Sequence, residues 1–293
     1  MRKKINIGII GLGYVGLPLL LLINKKFNVF GFDKDKSKVS SLKKKISYIS
    51  DVKNDELKRL NSDIFNHSSE YHKLSLCDYV IICLPTPLKK NIPDMSYIEE
   101  CFSEIYKYLK KNQTIILESS VYTGATRDIF EKKINKKFKL GKNFFLCYSP
   151  ERIDPGQDKL IKKTEYVNIT KLISGHSKKC LAKIRILYKS VFKKIYECSS
   201  IEVAETAKLL ENIYRSVNIG LVNEMKIITH KLNLNIHQVI DAAGSKPFGF
   251  RKFSPGPGVG GHCIPIDPVF MSWLAKKNGN ESKFINLSVQ ANK

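Results

Sequence analysis

The stretch INIGIIGLGYVGLPL, residues 5–19, decides the fold of the first part of this chain. Residues 5–10 form a mostly apolar, β-branched run typical of a buried strand, and the pattern LPLLLLINKK that begins at residue 17 is typical of a helix. Between the two stand Gly11, Gly13 and Gly16, in the spacing GxGxxG. This glycine motif at the junction of a strand and a helix predicts a dinucleotide-binding turn.

Each glycine of the turn has a mechanical task. The first permits the tight turn, the second lets a pyrophosphate approach the backbone, and the third lets the helix pack closely on the strand. The helix N-terminus then offers free N–H groups and partial positive charge to the phosphates. The predicted cofactor-binding residues in this turn are Gly11, Gly13, Tyr14, Val15 and Gly16.

Asp33 ends the next apolar run, NVFGFD, about twenty residues after the glycines. A carboxylate at this point accepts a hydrogen bond from the ribose 2′-hydroxyl and repels a 2′-phosphate, so we expect NAD rather than NADP as the cofactor. We assign Lys38 to the same cofactor site. The alternative is that Asp33 is a solvated turn residue in the polar segment GFDKDKSK.

Short apolar runs recur along the chain, separated by lysine-rich amphipathic stretches. They lie at residues 28–33, 79–84, 114–119, 144–149 and, less clearly, 167–174. Strands that alternate with helices at this spacing predict an α/β fold with a doubly wound, mostly parallel sheet of the Rossmann type.

The sequence changes character after residue 198. Residues 199–232 contain no proline and carry apolar residues at helical spacing, which predicts a helix of about thirty residues, roughly 45 Å long. Ser199 and Glu202 fit a capping box at its start. We therefore divide the chain into a Rossmann-type domain, 1–198, and a helical central domain, 199–293, built on the long helix. The final segment, ESKFINLSVQANK, predicts a helix that has no stopping signal.

The composition limits the class of function. The chain has 293 residues, with 50 Lys and Arg against 27 Asp and Glu, a formal net charge of +23. The lysines are spread over nearly every predicted helix, so we expect steering of an anionic small molecule rather than nucleic-acid binding. No apolar segment approaches the roughly 20 residues that cross a bilayer, and we expect no membrane partner.

Seven cysteines are dispersed along the chain, and none forms a CxxC pair. This pattern argues against a zinc site or a disulfide framework, so we expect no metal and a reducing, cytoplasmic location. Most of the thiols, such as those of Cys77 and Cys83, are expected in the core.

One cysteine has a different setting. The stretch GPGVGGHCIPIDP, residues 256–268, surrounds Cys263 with glycines and prolines, which together make a loop of one shape with little bulk around the thiol. A tight turn that happens to contain a cysteine is the alternative. His262 is adjacent, but neighbouring residues in an extended loop usually point apart, so we expect a structural role for it.

Six motifs in order along the chain give it a family resemblance. They are GLGYVGLPL at 11–19, LPTPL at 84–88, ESSVYTGAT at 118–126, YSPERIDPG at 148–156, ETAKLLENIYRSVNIGLVNE at 205–224 and PFGFRKFSPGPGVGGHCIPIDP at 247–268. With them the chain resembles the nucleotide-sugar 6-dehydrogenases, which oxidise the C6 hydroxyl of a UDP-hexose to a carboxylate with NAD. The resemblance implies a role in making precursors of surface polysaccharides.

Two pairs of motifs look most like the UDP-N-acetylglucosamine branch of that family. They are KPFGF with PGPGVGGHCIPIDP, and PTPL with PDMSYIEE. UDP-glucose and UDP-N-acetylmannosamine enzymes remain alternatives. The chain departs from the family pattern in having Ser120 where a threonine is usual and Thr123 where a proline is usual. From the resemblance we also expect the family's third domain, which holds the uridine diphosphate, to be missing from these 293 residues.

The resemblance implies a role for several residues in a four-electron oxidation. Cys263 would trap the aldehyde as a thiohemiacetal, which a second oxidation converts to a thioester. Lys208 and Asn212, spaced i, i+4 on the long helix, would stabilise oxyanion character. Asp267 would assist proton transfer with a water, and Glu151 would act on the water that hydrolyses the thioester. From the residues alone, Lys208 could be an exposed helix lysine and Asp267 a helix N-terminal carboxylate.

The remaining implied contacts belong to the cofactor and the sugar. Thr86 and Ser120 would lie near the nicotinamide, with Ser120 also counted as catalytic. Arg152 would bind substrate or simply pair with Glu151. The resemblance further implies a homodimer or larger homo-oligomer through the central helix, with an arginine reaching a neighbouring subunit's substrate. The substrate-binding residues implied are Glu151, Arg152, Lys208, Asn212, Arg251, Phe253 and Gly260.

Two other readings stay open. A two-electron β-hydroxyacid dehydrogenase also combines a dinucleotide fold with a long helix and a lysine, and it needs no thiol. A catalytically inactive NAD-binding fragment would fit the expectation that the third domain is missing.

Overall fold

The computed structural model of the chain describes residues 5–66, 70–152, 167–261 and 264–292. The chain forms two compact units. The first comprises Met1–Pro87 and Asp94–Thr206, and the second comprises Leu88–Pro93 and Ala207–Lys293.

The described residues of the first unit contain one eight-stranded sheet in the order β10-β9-β8-β7-β4-β1-β2-β3. The strands are β1 Asn6–Ile10, β2 Asn28–Asp33, β3 Asp63–Asn66, β4 Tyr79–Ile82, β7 Thr114–Leu117, β8 Phe145–Tyr148, β9 Lys171–Gly175 and β10 Ile195–Glu197. Two further short strands, β5 Leu88–Lys89 and β6 Ile92–Pro93, form an antiparallel hairpin in the second unit.

Helices cover the sheet and build most of the second unit. In the first unit they are α1 Gly16–Asn24, α2 Lys36–Lys43, α3 Asn54–Lys58, α4 Ser96–Ile105, α5 Ala125–Ile134 and α6 Lys178–Val191. Helix α7, Ile201–Lys231, begins in the first unit and continues in the second. The second unit then adds α8 Ile236–Ala243, α9 Asp267–Lys277 and α10 Lys283–Ala291.

The central strands are buried on both faces, and this explains their nearly continuous apolar sequence. Ile9, Ile81 and Ile116 are fully buried and lie in one core cluster. Strand β1 pairs in parallel with β2 on one side and with β4 on the other. The chain order reverses here, so the glycine turn that follows β1 lies at the topological switch point where such sheets bind ligands. The predicted fold class is confirmed.

Strands β9 and β10 are the exceptions to the parallel arrangement. The sequence predicts a strand over 167–174, whereas the structure has Lys171–Gly175, antiparallel to β8 and parallel to β10. Cys147 pairs with Gly175 and Tyr148 with Ser174. Because β9 runs against its neighbour, its first residue lies at the edge of the sheet where the parallel strands end. An apolar run does not encode its direction, so the sequence could not predict this.

The cap of the long helix differs from the prediction by one residue. The N–H of Cys198 donates to the carbonyl of Ile173, so the chain is still held beside β9 at that point. The helix therefore begins at Ile201, and Ser200 rather than Ser199 caps it, its Oγ accepting from the N–H of Val203 at 3.3 Å. Glu202 forms an ion pair with Arg127.

The first turns of α7 also attach it to α5. The carboxylate of Glu205 accepts hydrogen bonds from the N–H of Gly124 at 2.6 Å, and from the N–H and Oγ1 of Thr126 at 3.0 and 2.6 Å. It thereby satisfies N–H groups at the start of α5. Burial raises the pKa of Glu205 to about 7 against the opposing effect of these hydrogen bonds.

The second unit contains an apolar core cluster of its own. Val222, Ile236 and Ile240 form an apolar cluster, with Met225 and Phe253 packed on it. The helix predicted near the end of the chain is present as α10. In the first unit, Cys77 and Cys83 are buried as expected. Across the described ranges, we find no helix with the length and hydropathy of a membrane span.

Candidate functional site

The glycine turn after β1 has the geometry of a cradle. Gly11 has φ of +88°, and a Cβ there would lie 2.4 Å from the carbonyl oxygen of Cys83. A Cβ on Gly16 would lie 1.8 Å from the carbonyl oxygen of Gly11. A Cβ on Gly13, in contrast, would meet no described atom within 4 Å. The first and third glycines are therefore required by the protein itself, whereas the second leaves an open approach to the backbone.

Helix α1 begins directly after this turn. Val15 stands at its N-cap and packs partly buried against the core, and among the described residues no side chain caps the helix. Tyr14 beside it is partly exposed, at 43%. The first N–H groups of α1 thus point to the turn without a side-chain acceptor, which suits a phosphate ligand. The open glycine and the uncapped helix together fit a dinucleotide.

Asp33 lies against the same turn and is buried, so the alternative of a solvated turn residue is wrong. Its Oδ2 accepts from the N–H of Leu12 at 2.8 Å, and its Oδ1 accepts from the N–H of Asp35 at 2.9 Å. The ammonium of Lys38 is 3.8 Å from Oδ2. The predicted residues Asp33 and Lys38 therefore lie together beside the glycines, with the carboxylate held in a fixed orientation.

Thr86 and Ser120 follow the neighbouring strands β4 and β7. The Oγ1 of Thr86 donates to the carbonyl of Ser120 at 2.6 Å, and both residues are half-buried. Ser119 ties the two loops a second time, because its Oγ accepts from the N–H of Leu84 and donates to the carbonyl of Leu84. The structure thus brings both predicted residues to the carboxyl edge of the sheet.

Glu151 follows β8 at this same edge and is joined to a lysine. Its Oε2 is 3.4 Å from the ammonium of Lys171, and its Oε1 accepts from the N–H of Arg152 at 2.6 Å. The guanidinium of Arg152 donates to the carbonyl of Thr170 at 2.7 Å. Lys171 is thus a cation beside Glu151, and the sequence analysis did not single it out.

Lys171 also binds a second carboxylate, that of Glu118, at 2.6 Å. The hydroxyl of Tyr188 donates to the other oxygen of Glu118. Burial raises the pKa of Glu118 to about 7, against the charge of Lys171. Burial alone would lower the pKa of Lys171, but Glu118 and then Glu151 outweigh it and raise that pKa.

The sequence does contain a sign that Lys171 is buried and paired. Lysine is almost never buried unless it is paired, and Lys171 stands inside the apolar run VNITKLIS. That signal predicts a buried partner without saying which. Glu118 is 53 residues away in the chain, and its pairing depends on the strand order.

In the second unit, Lys208, Asn212 and Asp267 form a buried polar cluster. The exposed fractions of these residues are 3%, 2% and 1%. The Nδ2 of Asn212 donates to the Oδ2 of Asp267 at 2.5 Å. Lys208 and Asn212 share one face of α7 as predicted, and Asp267 is the first residue of α9. Lys208 is therefore not an exposed helix lysine.

The carboxyl group of Asp267 has an unusual environment. Burial raises its pKa to about 6, while the charge of Lys208 and the hydrogen bond from Asn212 oppose the shift. Its Oδ1 is buried and has no hydrogen-bond partner among the described residues. Asp267 thus belongs to the first turn of a helix, which agrees with the alternative given from the residues alone, and it is also a member of the polar cluster.

The loop before α9 carries the remaining predicted residues. Arg251 and Gly260 are exposed, and a Cβ on Gly260 would meet no described atom within 4 Å. The ring of Phe253 packs edge-on against Tyr214, with 5.9 Å between centroids. The structure does not bring Arg251 or Phe253 into the polar cluster. Cys263 and His262 lie outside the described residues, so the predicted nucleophile stays a prediction.

The predicted site residues divide between the two units. The cofactor set, with Ser120, Glu151 and Arg152, belongs to the first unit, and Lys208, Asn212, Asp267 and the loop residues belong to the second. In the described part of the chain, no group of three or more His, Cys, Asp or Glu side chains is arranged to hold a metal ion.

Comparison with known proteins gives matches over nearly the whole chain. The model of the NAD binding domain of the UDP-glucose/GDP-mannose dehydrogenase family matches residues 5–192, and the model of that family's central domain matches residues 202–293. The first of these matches confirms NAD as the expected cofactor.

Individual proteins are also similar to this chain over nearly its whole length. Protein CapL of Staphylococcus aureus is 37% identical over 284 residues, which cover 96% of this chain and 65% of that protein. The UDP-N-acetyl-D-glucosamine 6-dehydrogenase of Pseudomonas aeruginosa is 35% identical over 289 residues, 97% of this chain and 66% of that protein. The chain therefore spans slightly less than two thirds of the length of these curated relatives.

A solved structure shares the fold. The structure of the UDP-D-ManNAc dehydrogenase from Pyrococcus horikoshii superposes with a TM-score of 0.89 at 28% identity. The match covers 98% of this chain and 68% of that one.

Proposed function

The chain belongs to the UDP-glucose/GDP-mannose dehydrogenase family, and from this premise we propose that it takes part in the NAD-dependent oxidation of the C6 hydroxyl of a UDP-hexose to the uronate. The reaction removes four electrons, so two NAD molecules must act in turn, and in the proposed route an aldehyde and then a thioester lie between the alcohol and the uronate. The product would be a precursor for surface polysaccharides, made in the reducing cytoplasm that the dispersed cysteines favour.

The cofactor half of the proposal assigns residues 1–198 to NAD. Gly11, Gly13 and Gly16, with Tyr14 and Val15, would receive the pyrophosphate at the start of α1. Asp33 would accept from the ribose hydroxyls, with Lys38 beside it, and its charge would exclude a 2′-phosphate. Thr86 and Ser120 would contact the nicotinamide half. When bound, NAD accepts the hydride in each of the two oxidations.

The chemical half assigns the covalent step to the thiolate of Cys263. It would add to the C6 aldehyde, and after the second oxidation its sulfur would carry the acyl group until water releases the carboxylate. Lys208 and Asn212 would donate to the oxygen that gains negative charge. Asp267 would accept a proton through a water. Glu151 would orient the water that cleaves the thioester, with Arg152, Arg251, Phe253 and Gly260 as substrate contacts.

One observation carries this proposal beyond cofactor binding, namely the buried cluster of Lys208, Asn212 and Asp267. Burying an ammonium, an amide and a carboxyl in a helical unit is costly, and a purely structural helix pair would use apolar side chains there. The carboxyl oxygen without a described partner supports a role toward a bound water or ligand. An inactive NAD-binding fragment would not need this cluster.

For the sugar, we propose UDP-N-acetylglucosamine. The support is the pattern of the two loop motifs together with relatives of 35% and 36% identity that are named for this substrate. UDP-N-acetylmannosamine and UDP-glucose are the alternatives, because other relatives and structures of this fold are named for them.

The test measures NADH formed per UDP-sugar consumed, with the three sugars side by side. We expect a ratio of two with one preferred sugar, and an acyl adduct on Cys263 in the mass spectrum of Glu151→Gln quenched during the reaction. Cys263→Ser should stop the reaction at the aldehyde level. A ratio of one that Cys263→Ser leaves unchanged would point to the two-electron β-hydroxyacid type instead. NAD binding with no turnover of any sugar would identify the inactive fragment.

We also propose that the chain forms a homodimer through the central helix. Leu210 and Leu221 on α7 are exposed at 61% and 56%, with Tyr214 and Ile228 on the same face. Such a row of apolar side chains on one helix face is rare on a monomer and is typical of an interface with a second copy.

A further inference from the structure

Lys171, Glu118 and Tyr188 form a buried group that the proposed mechanism does not use. The exposed fractions of the lysine and glutamate side chains are 4% and 0%. The ammonium lies 2.6 Å from the inner carboxylate, that of Glu118, and 3.4 Å from the outer carboxylate, that of Glu151. A lysine buried between two carboxylates needs an explanation, because removing three charges from water is expensive.

The topology explains how the lysine reaches this place. Pairs in the antiparallel ladder of β8 and β9 join Cys147 to Gly175 and Tyr148 to Ser174. Continuing this register beyond β8 sets Glu151 opposite Lys171. The hydrogen bond from the Oγ of Ser149 to the carbonyl of Leu172, at 2.7 Å, lies along the same line. The antiparallel direction of β9 therefore places the ammonium of Lys171 beside the carboxylate of Glu151.

The two carboxylates are not equivalent. Glu118 is the inner one, held from its other side by the hydroxyl of Tyr188. Glu151 is the outer one, with a side chain 12% exposed at the carboxyl edge of the sheet. The ammonium also lies 5.5 Å from the ring centroid of Phe192 and 6.0 Å from that of Tyr188, so aromatic faces fix its remaining side. The ammonium of Lys171 is thus held by Glu118 on its inner side and faces the carboxylate of Glu151 on its outer side.

We propose that Lys171 is a positioning residue for Glu151: anchored by Glu118 and Tyr188, its ammonium keeps the Glu151 carboxylate ionised and oriented at the edge of the sheet. This rests on the proposed function, in which an ionised Glu151 orients the water that cleaves the thioester. A protonated Glu151 could not accept a proton from that water.

Other titratable or charged groups face this carboxylate in the described part of the chain. Cys83 follows β4, and its thiol stays neutral because burial and then Glu118 raise its pKa well above the ordinary value. Arg152 contributes its N–H, while its guanidinium binds Thr170. Glu118 repels a charge on Glu151, and the ammonium of Lys171 compensates for both carboxylates.

The decisive experiment measures the pKa of Glu151 in the full chain, without cofactor or sugar. The chain is labelled with ¹³C at the glutamate carboxyl carbon, and Glu151→Gln identifies the resonance. We expect Lys171→Met to raise the pKa of Glu151 by at least about one unit, because an opposite charge at this distance favours the ionised form. Lys171→Arg should keep it near the wild-type value, and so should Tyr188→Phe, which keeps the cation.

A matched control is Lys183→Met, since Lys183 has its ammonium 4.9 Å from the ring of Phe145 and carries the same charge on the nearby helix α6. It should leave the pKa of Glu151 unchanged. If Lys171→Met does not fold, the double variant Glu118→Gln with Lys171→Met removes the ammonium without leaving a buried unpaired carboxylate. The pKa of Glu151 should still rise, but by less than in the single variant, because the repelling charge of Glu118 is removed as well. An unchanged pKa in the folded single or double variant would overturn the proposal.

A second readout separates this proposal from the proposed function. In Lys171→Met, the acyl adduct on Cys263 should accumulate more at pH 6 than at pH 8, whereas Lys171→Arg should show no such difference. If the wild type forms the adduct but Lys171→Met does not accumulate it at either pH, the positioning role fails and the function stands. If no variant forms an adduct while the pKa of Glu151 still shifts, the function fails and the pairing stands.

Discussion

Asn212 and Asp267 are joined by a hydrogen bond of 2.5 Å between the amide Nδ2 and the carboxyl Oδ2, although 55 residues separate them in the chain. Both side chains are buried, and Lys208 lies one turn before Asn212 on the same helix. The bond therefore holds the first residue of α9 against the polar face of α7.

Removing this amide should weaken the second unit. Asn212→Ala leaves the buried Asp267 carboxyl without its donor, so we expect the free energy of unfolding to fall by about 1–3 kcal/mol. Trp273, the single tryptophan of the chain, lies on α9 and reports on this unit by its fluorescence during urea unfolding. The control is Asn218→Ala on the same helix, whose amide donates to the carbonyl of Tyr214 at an exposed position. It should cost less than about 0.5 kcal/mol. Equal losses of unfolding free energy in the two variants would contradict a stabilising role for the buried hydrogen bond between Asn212 and Asp267.

Asp267 should make the stability of the same unit depend on pH. Its pKa rises from 3.8 to about 6 on folding because of burial, so the folded chain binds the proton more tightly than the unfolded chain. This stabilisation is fully present below the unfolded pKa and is lost as the pH rises through about 6. The free energy of unfolding should therefore fall between pH 4 and pH 6.5, by at most about 3 kcal/mol. Asp267→Asn should remove this part of the slope in Trp273 fluorescence, and a slope identical to that of the wild type would refute the shift.

Gly13→Ala should separate folding from cofactor binding. A Cβ at this position meets no described atom within 4 Å, so the melting temperature should stay within a degree or so of the wild type. The same Cβ would stand where a pyrophosphate approaches the backbone, and we expect at least tenfold weaker NAD binding, about 1.4 kcal/mol. Calorimetric titration with NAD measures this. Gly11→Ala is the contrasting variant, because its Cβ would clash with the carbonyl of Cys83 and should lower the melting temperature. Unaltered NAD affinity in Gly13→Ala would show that the turn does not hold the phosphates.

The apolar face of α7 predicts the oligomeric state. Leu210→Glu with Leu221→Glu introduces two charges into the proposed interface, so we expect a dimer to become a monomer. Light scattering after size-exclusion chromatography gives the mass directly. Ile186→Glu is the control, since Ile186 is equally exposed, at 62%, but lies on α6 of the first unit. A wild-type chain that is already monomeric at high concentration would exclude this interface.

The sequence predicts most of the sheet because its strands are buried on both faces and so read as apolar runs. It misses β3, whose sequence is DIFN, and β10, whose sequence is IYE, because short strands at the edge of a sheet carry polar or exposed residues. It also misses the direction of β9, which depends on the chain path through residues distant from the strand. Local pattern shows that a strand exists, and only the assembled sheet shows which way it runs.

The candidate site residues likewise divide into those that local sequence pattern predicts and those that only the assembled fold brings together. Lys208 and Asn212 are predicted on one face because helical spacing is local. The meeting of Asn212 with Asp267, and of Lys171 with Glu118, joins residues more than fifty positions apart and follows from packing. The prediction of Ser199 as the cap is wrong for a related reason, because the backbone hydrogen bond from Cys198 to Ile173 holds the chain beside β9 and the helix begins one residue later than predicted.

The hairpin Leu88–Pro93 belongs to the second unit although its sequence lies between two parts of the first. The polypeptide therefore passes from one unit to the other, returns, and leaves again within α7. A single cut in the gene cannot yield two intact pieces: any N-terminal fragment would keep a hairpin whose packing neighbours, α9 among them, had been left behind. Exchange of the second unit for that of a relative would therefore have to replace the hairpin together with Ala207–Lys293.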